Sequence, residues 1–362
     1  MKAIILNAFG DTNNFTERTD LPLPVPGDND VLIRIIAAGF NPIDYQMRQG
    51  KSEKKHMKSP ILGREFSGIV VKTGKDARKF KKGMAVFAAS GSMGSNGTYA
   101  EYISVPENIL ATKPPNLTFE EAAAVPLANL TAMQTYKRLK PQQNDTFFVS
   151  GAAGGVGLAL IKILLYKGFR NVVVTAGNDE SRNQLIAAGV PAERIIDYRV
   201  NDIAAKIVIA NNQSLFDHCI DIVGGELSEL CAQLLITNGT YADITAHSTA
   251  NARETLFGKG ATVLNISNYA YALKGETGYY GNNLQEISTL LEKGVLSPPH
   301  VNLVGELSVI TVKHAHYILE NNLTKGKKLV MQIQTVSVWV SVLSKIFFSQ
   351  FFELYKHFHL VK

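Results

Sequence analysis

The chain has 362 residues, room for two domains at roughly 100–200 residues each, with 46% apolar and 19% charged residues, the balance of a globular protein with a real core. Its net charge of +6 does not point to nucleic acid. The densest basic stretch, Lys51 to Lys58 and then Lys72 to Lys82, lacks the interleaved aromatics of a base-stacking surface. Cys219 and Cys231 form no Cys-x-x-Cys pair, which excludes a disulfide framework and a cysteine-built zinc site and fits a reduced, cytoplasmic compartment.

Met1 to Leu6 is too short an apolar run for a signal peptide and reads as a strand. Short apolar runs follow, cut by Pro and Gly: Val31 to Ala38, Gly68 to Lys72, Met84 to Ala88 and Tyr99 to Val105. Thr118 to Glu121 has the spacing of a capping box and opens an alanine-rich helix. Beyond it, strands at Thr146–Val149, Asn171–Thr175, Phe216–Ile222, Thr240–Ile244 and Ala261–Ile266 alternate with helical stretches, which predicts a parallel, doubly wound sheet. A helix (Asn283–Lys293), a β-like run (Val301–Leu307), a helix (Val312–Asn322) and a strand (Lys327–Ile333) close the pattern. The expected organisation is an α/β protein with a discontinuous, mostly β first domain (1–125 and 267–334) around a dinucleotide-binding domain (126–266).

The run Ser150-Gly151-Ala152-Ala153-Gly154-Gly155-Val156-Gly157 sits between an apolar strand and an apolar helix. Glycines there let a backbone approach a pyrophosphate, and the helix N-terminus offers N–H groups to it. Ala152, Gly154, Gly155, Val156 and Gly157 are therefore cofactor candidates; a purely structural turn is the alternative. The next strand ends Thr175-Ala176-Gly177 without the acidic residue that bonds the 2′-hydroxyl of NAD. Ala176, Ser181, Arg182 and Tyr198 are expected around a 2′-phosphate, so NADP(H) is the expected cofactor, with Arg182 equally readable as an exposed helix residue. Ligands lie beyond the carboxyl ends of strands in such sheets, which nominates Val223, Ile244 and Ser267.

Several stretches carry a resemblance: Ala38 to Tyr45, Leu62 to Gly68, Gly97 to Tyr102, Pro126 to Ala132, the glycine turn, and Ile196 to Arg199. Together they resemble the medium-chain dehydrogenase/reductase superfamily, and within it the zinc-independent quinone oxidoreductase group, from Met1 to about Gln334. The resemblance implies a GroES-like catalytic domain, a Rossmann domain and a homodimer. It also implies that Asn41 and Asp44 line the nicotinamide pocket, that Tyr45 donates to the substrate oxygen, that Thr131 contacts the cofactor, and that Lys327 belongs to a closing Gly-Lys segment. Tyr45 reads equally as a buried residue, Thr131 as a core or cap residue, Lys327 as a solvated one. Zinc-dependent members hold the metal with a Cys and a Gly-His-Glu where this chain has Asn41 and Arg64, and no structural four-Cys lobe is present, so no metal is expected. Without a Lewis acid, hydride is expected to go to acceptors that delocalise charge themselves, quinones or α,β-unsaturated carbonyls. An enoyl thioester reductase and a non-catalytic NADPH-binding redox sensor are the alternatives.

The stretch 335–362 departs from the family. Its apolar residues recur at helical spacing, interrupted by Lys345 and Glu353, which predicts an amphipathic helix rather than a membrane span. It is expected to pack on the protein body or a second copy, to lie on a membrane surface, or to have no function.

Overall fold

The computed structural model describes residues 1–51 and 54–333; the helix expected over 335–362 lies outside the described residues. Seven strands come first: β1 Ala3–Leu6, β2 Phe15–Arg18, β3 Asp30–Gly39, β4 Glu65–Thr73, β5 Ala85–Ala89, β6 Tyr102–Pro106 and β7 Ala111–Thr112. Then β8 Phe147–Val149, β9 Val172–Ala176, β10 Ile195–Asp197, β11 Phe216–Asp221, β12 Leu235–Asp243 and β13 Thr262–Asn265 alternate with helices. Strands β14 Val301–Glu306 and β15 Lys328–Gln332 end the described chain.

β3 is the axis of the first sheet. Its apolar run Val31 to Ala38 is broken only by Arg34, as expected of a strand covered on both faces. It pairs antiparallel with β4 along its length, with β6 at its start and with β15 at its end. The last strand thus returns to the first sheet, extending the order to β14-β15-β3-β4-β5-β7.

The second sheet is wholly parallel, in the order β10-β9-β8-β11-β12-β13. Counted from β8 this is 3-2-1-4-5-6, the order of a doubly wound dinucleotide-binding sheet, with the strand order reversing between β8 and β11. The two sheets share one continuous core, in which Ile33 and Phe66 of the first belong with Val149 and Ile220 of the second. The chain is a GroES-like β unit joined to a Rossmann-type parallel sheet.

Four helices position the site: α1 Pro42–Arg48, α2 Phe119–Ala123, α3 Pro126–Leu139 and α4 Gly155–Tyr166. Thr118 caps α2 as its spacing predicts: its hydroxyl accepts from the Glu121 N–H at 3.1 Å, and the Glu121 carboxylate accepts from the Thr118 N–H at 2.8 Å. The single alanine-rich helix expected there is two, because Pro126 lacks an N–H and begins a new helix. Two helices after β13 start earlier than expected, at Gly278 rather than Asn283 and at Val309 rather than Val312; the second is set by Ser308, whose hydroxyl caps it by accepting from the Thr311 N–H at 3.1 Å.

α4 leaves the glycine turn through Gly157, where a Cβ would lie 2.5 Å from the Ala152 carbonyl oxygen. Replacing Gly157 by Val is expected to lower stability by about 2–3 kcal/mol through overpacking. Gly258, with open space around it, is expected to accept Ala at no cost. Urea midpoints of the two variants check this.

Candidate active site

The crevice opens where β8 and β11 diverge. Asp221, fully buried at the end of β11, braces it from beneath. Its Oδ1 accepts from the Ser150 hydroxyl at 2.9 Å and from the Val223 and Gly224 N–H groups at 3.0 and 2.9 Å. Its Oδ2 accepts from the Tyr241 phenol at 2.9 Å. This fully buried carboxylate is a structural pin between three strands.

Above it, Gly154 is the N-cap of α4 and gives no side-chain cap. Gly154 and Gly155 are exposed, Val156 is half-buried, and Ala152 and Gly157 are buried beneath them. An uncapped twelve-residue helix faces the crevice with its N–H groups behind side-chain-free backbone, a fit for a pyrophosphate. Gly155 lies against Ala128 of α3, with 3.4 Å between their Cβ positions, so the turn adjoins the cleft that α3 helps to form.

The residues expected around the ribose separate. Ala176 is buried at the end of β9, and Tyr198, 51% exposed, lies against Gly177 just beyond it. Ser181 is half-buried in the first turn of the helix Asp179–Ala187. The Arg182 guanidinium donates to the Ile195 and Ala192 carbonyls at 2.8 Å each and so clamps the loop before β10. Neighbouring Arg199 is paired with Asp197, 2.7 Å away. Val223 sits exposed at the rim, Ile244 half-buried, and Ser267 exposed with its carbonyl accepting from the Gln134 amide at 3.0 Å.

A cleft of about 190 Å³ lies between α3, the residues after β13 and the first sheet, lined among others by Ile43, Arg64, Leu127, Thr131, Asn268 and Tyr269. The Thr131 hydroxyl donates to the Leu127 carbonyl at 2.9 Å and accepts from the Asn268 amide at 2.8 Å. Tyr45, half-buried on α1, is not among the lining residues.

Below the cleft runs a buried polar network that sequence reasoning missed. Glu65, with no exposed surface, is its centre. Its Oε1 accepts from the Asn41 amide at 2.8 Å and pairs with the Lys328 ammonium at 2.5 Å. Its Oε2 accepts from the Leu127 N–H at 2.8 Å, at the N-terminus of α3 where the helix dipole favours an anion. Lys328 also donates to the Asn41 side-chain oxygen at 2.6 Å. Gly39 makes room for this carboxylate: a Cβ there would sit 2.5 Å from Oε1. Asp44 accepts from the Asn41 N–H at 2.8 Å and completes the capping box of α1. Burial pushes its carboxyl up to about 7, although that N–H, Arg64 and Lys328 all favour its ionised form. The charged residue inside an apolar strand was the available signal for Glu65.

Comparison with known proteins gives the frame. Residues 27–115 match the alcohol dehydrogenase GroES-like domain and residues 190–330 the zinc-binding dehydrogenase domain. A mitochondrial NAD(P)H oxidoreductase of Dictyostelium discoideum is 29% identical over 91% of this chain and 99% of its own. The chloroplastic NADPH-dependent alkenal/one oxidoreductase of Arabidopsis thaliana is 26% identical over 92% of this chain and 80% of its own. The quinone oxidoreductase of Coxiella burnetii, a solved structure, superposes with a TM-score of 0.75 at 27% identity over 92% of this chain and 99% of its own. The chain belongs to the medium-chain dehydrogenase/reductase superfamily.

Within that superfamily's pattern, Asn41 and Arg64 stand where zinc-dependent members carry ligands, and both are committed elsewhere. The Asn41 carboxamide is engaged at both ends, and Arg64 is a buried cation. Among the described residues no three His, Cys, Asp or Glu side chains converge. His316 is in the core, its Nε2 3.2 Å from the Tyr99 phenol, and burial pushes its imidazole down to about 3. The closing Gly-Lys segment places Lys327 on the exposed side; alternation along β15 turns Lys328 inward instead.

Lys328→Met is expected to cost about 3–5 kcal/mol by stranding the Glu65 carboxylate, and Lys327→Met less than about 0.5 kcal/mol. Adding Glu65→Gln to Lys328→Met recovers part of the loss; chemical denaturation measures all three.

Asp44 yields a pH test. From an unfolded value of 3.8 to a folded value of about 7, the folded protein keeps a proton that the unfolded chain has released. Its contribution is therefore present below about pH 4 and lost as pH rises towards 7. Stability of the parent protein should fall between pH 5 and 7.5 by on the order of 2–4 kcal/mol more than that of Asp44→Asn, read from urea midpoints. His316 acts in the opposite sense in both proteins and cancels in the comparison.

Proposed function

We propose that this protein is an NADPH-dependent, zinc-independent oxidoreductase that transfers a hydride to a quinone or an α,β-unsaturated carbonyl acceptor. The observation that carries the reading is the α4 N-terminus: uncapped, glycine-lined, at the switch point of the parallel sheet and beside the cleft. When bound there, the reduced nicotinamide supplies the hydride. Ala152, Gly154, Gly155, Val156 and Gly157 present backbone to the pyrophosphate, and Thr131 and Asn268 line the cleft beside it. Asn41, held by Glu65, Lys328 and the Asp44 carboxyl, fixes the floor on which α1 rests.

The NADP preference rests on the absence of a carboxylate at Ala176 to Asn178, with Ser181 and Tyr198 supplying hydroxyls; Arg182 holds the loop before β10 through two of its five N–H groups and keeps the others for a phosphate. Zinc independence rests on the donor set, since a carboxamide and a guanidinium stand where a metal would need thiolate or imidazole ligands. The likeness to the Arabidopsis alkenal/one oxidoreductase and the Coxiella quinone oxidoreductase supports the acceptor class. On this reading residues 1–125 with 267–334 form the catalytic unit and 126–266 the dinucleotide unit. The free outer edge of β13, with Val263 46% exposed, supports a homodimer formed through the parallel sheets.

Steady oxidation of NADPH with a panel of quinones and enones tests the reading, with NADH expected to bind at least tenfold more weakly. Turnover of enoyl thioesters alone would replace the acceptor class. Tight NADPH binding without turnover of any acceptor would overturn catalysis in favour of a sensor.

A further inference from the structure

The cleft has a side branch. A narrow cavity of about 20 Å³ adjoins it, and the two share Arg64, Gly91 and Ser92 in their linings. Met47, Met57, Ile61 and Leu62 give the branch apolar walls. Its free volume is little more than one water needs, so it excludes a ring and admits only an unbranched chain. Lys58 is the one exposed residue of its described lining and therefore marks the mouth. No Asp or Glu is among the described residues lining either cavity, and Lys58 has no ion pair among the described residues.

The segment that carries Lys58 is held at both ends. After it, the Ser59 hydroxyl accepts from the Ile61 N–H at 3.1 Å, the Pro60 carbonyl accepts from the Leu6 N–H at 2.9 Å, and Ile61 bridges to Ile5. Before it, the His56 ring lies against that of Tyr269, with centroids 4.9 Å apart, and Tyr269 lines the main cleft. An ammonium is thus set beside an apolar passage that leads into the cleft.

We infer that the acceptor carries a short unbranched tail ending in a carboxylate, and that this tail lies in the branch with its anion against the Lys58 ammonium. The inference rests on the reductase reading above and narrows its acceptor class. The alkene and carbonyl stay in the main cleft, beside Thr131 and Asn268. Methylenes of the tail lose water against the methionines and aliphatic walls. The anion remains partly hydrated at the exposed mouth, so its pairing costs little desolvation and strengthens binding only modestly. Hydride transfer leaves the tail unchanged. Lys58 therefore holds ground state and transition state alike, and its effect belongs in KM rather than in kcat.

The test follows NADPH oxidation by the full chain with vinyl ketones of increasing chain length, each chain ending in a carboxylate or in its methyl ester. In the parent protein the acid should have a KM about two- to fivefold below that of its ester, with kcat equal within about twofold. The advantage should peak at one chain length, since cleft and ammonium are a fixed span apart, and weaken in about 0.5 M salt. It should vanish in Lys58→Met and invert in Lys58→Glu. It should persist in Lys55→Met, whose parent residue is exposed on the same loop and is not among the residues lining either cavity. Equal KM for acid and ester, or a preference that survives Lys58→Glu, overturns the inference and leaves the reductase reading intact. A preference lost equally in Lys55→Met also overturns it, as a diffuse field of the basic loop. A parent protein that reduces quinones but no vinyl ketone overturns the inference alone; one that reduces neither overturns both.

Discussion

One buried carboxylate holds the floor beneath the cleft together. Glu65 has no exposed surface, and a lone ion in that position would cost several kcal/mol to desolvate. It is tolerable only because three separate parts of the chain bring donors to it: Asn41 from the start of α1, Leu127 from the start of α3 and Lys328 from β15. The dependence is mutual. The carboxylate needs all three, and each of the three is placed by it, so the floor forms as a unit.

The other buried acid near the crevice works in a comparable way. Asp221 spends both oxygens on Ser150, Val223, Gly224 and Tyr241, which ties β8, β11 and β12 at the point where a cofactor would sit. Asp243 accepts from the Thr245 and Ala246 N–H groups with its Oδ1. The acids of the crevice are turned inward to shape backbone. The uncapped terminus of α4 then favours an anionic ligand through its N–H groups and dipole.

Much of this was legible in the chain. The alternation of strands and helices from Thr146 predicts the parallel sheet, and the glycine turn predicts where its crevice lies, because both depend on local patterning and backbone freedom. The division of the alanine-rich helix at Pro126 was not read, although Pro at a first helical position is a local signal. Other features could not be read locally. Arg182 has the chemistry of a phosphate ligand, but its partners, the Ala192 and Ile195 carbonyls, are settled by how the next loop folds back. Lys327 and Lys328 are alike as letters, and only the register of β15 against β3 and β14 decides which one faces Glu65. Long-range pairing and strand register escape a reading based on neighbours along the chain.

The return of β15 also orders the assembly of the molecule in time. The parallel sheet is built from segments close to one another in the sequence, so its strands can pair as they emerge. Lys328, by contrast, closes a loop from Glu65 that encloses the entire second sheet. Contacts of such sequence separation carry a large loop-closure entropy and form late. A chain still in synthesis can therefore possess the crevice while the floor of the cleft still lacks the Lys328 ammonium. The floor is completed only when β15 pairs, as a single closing step.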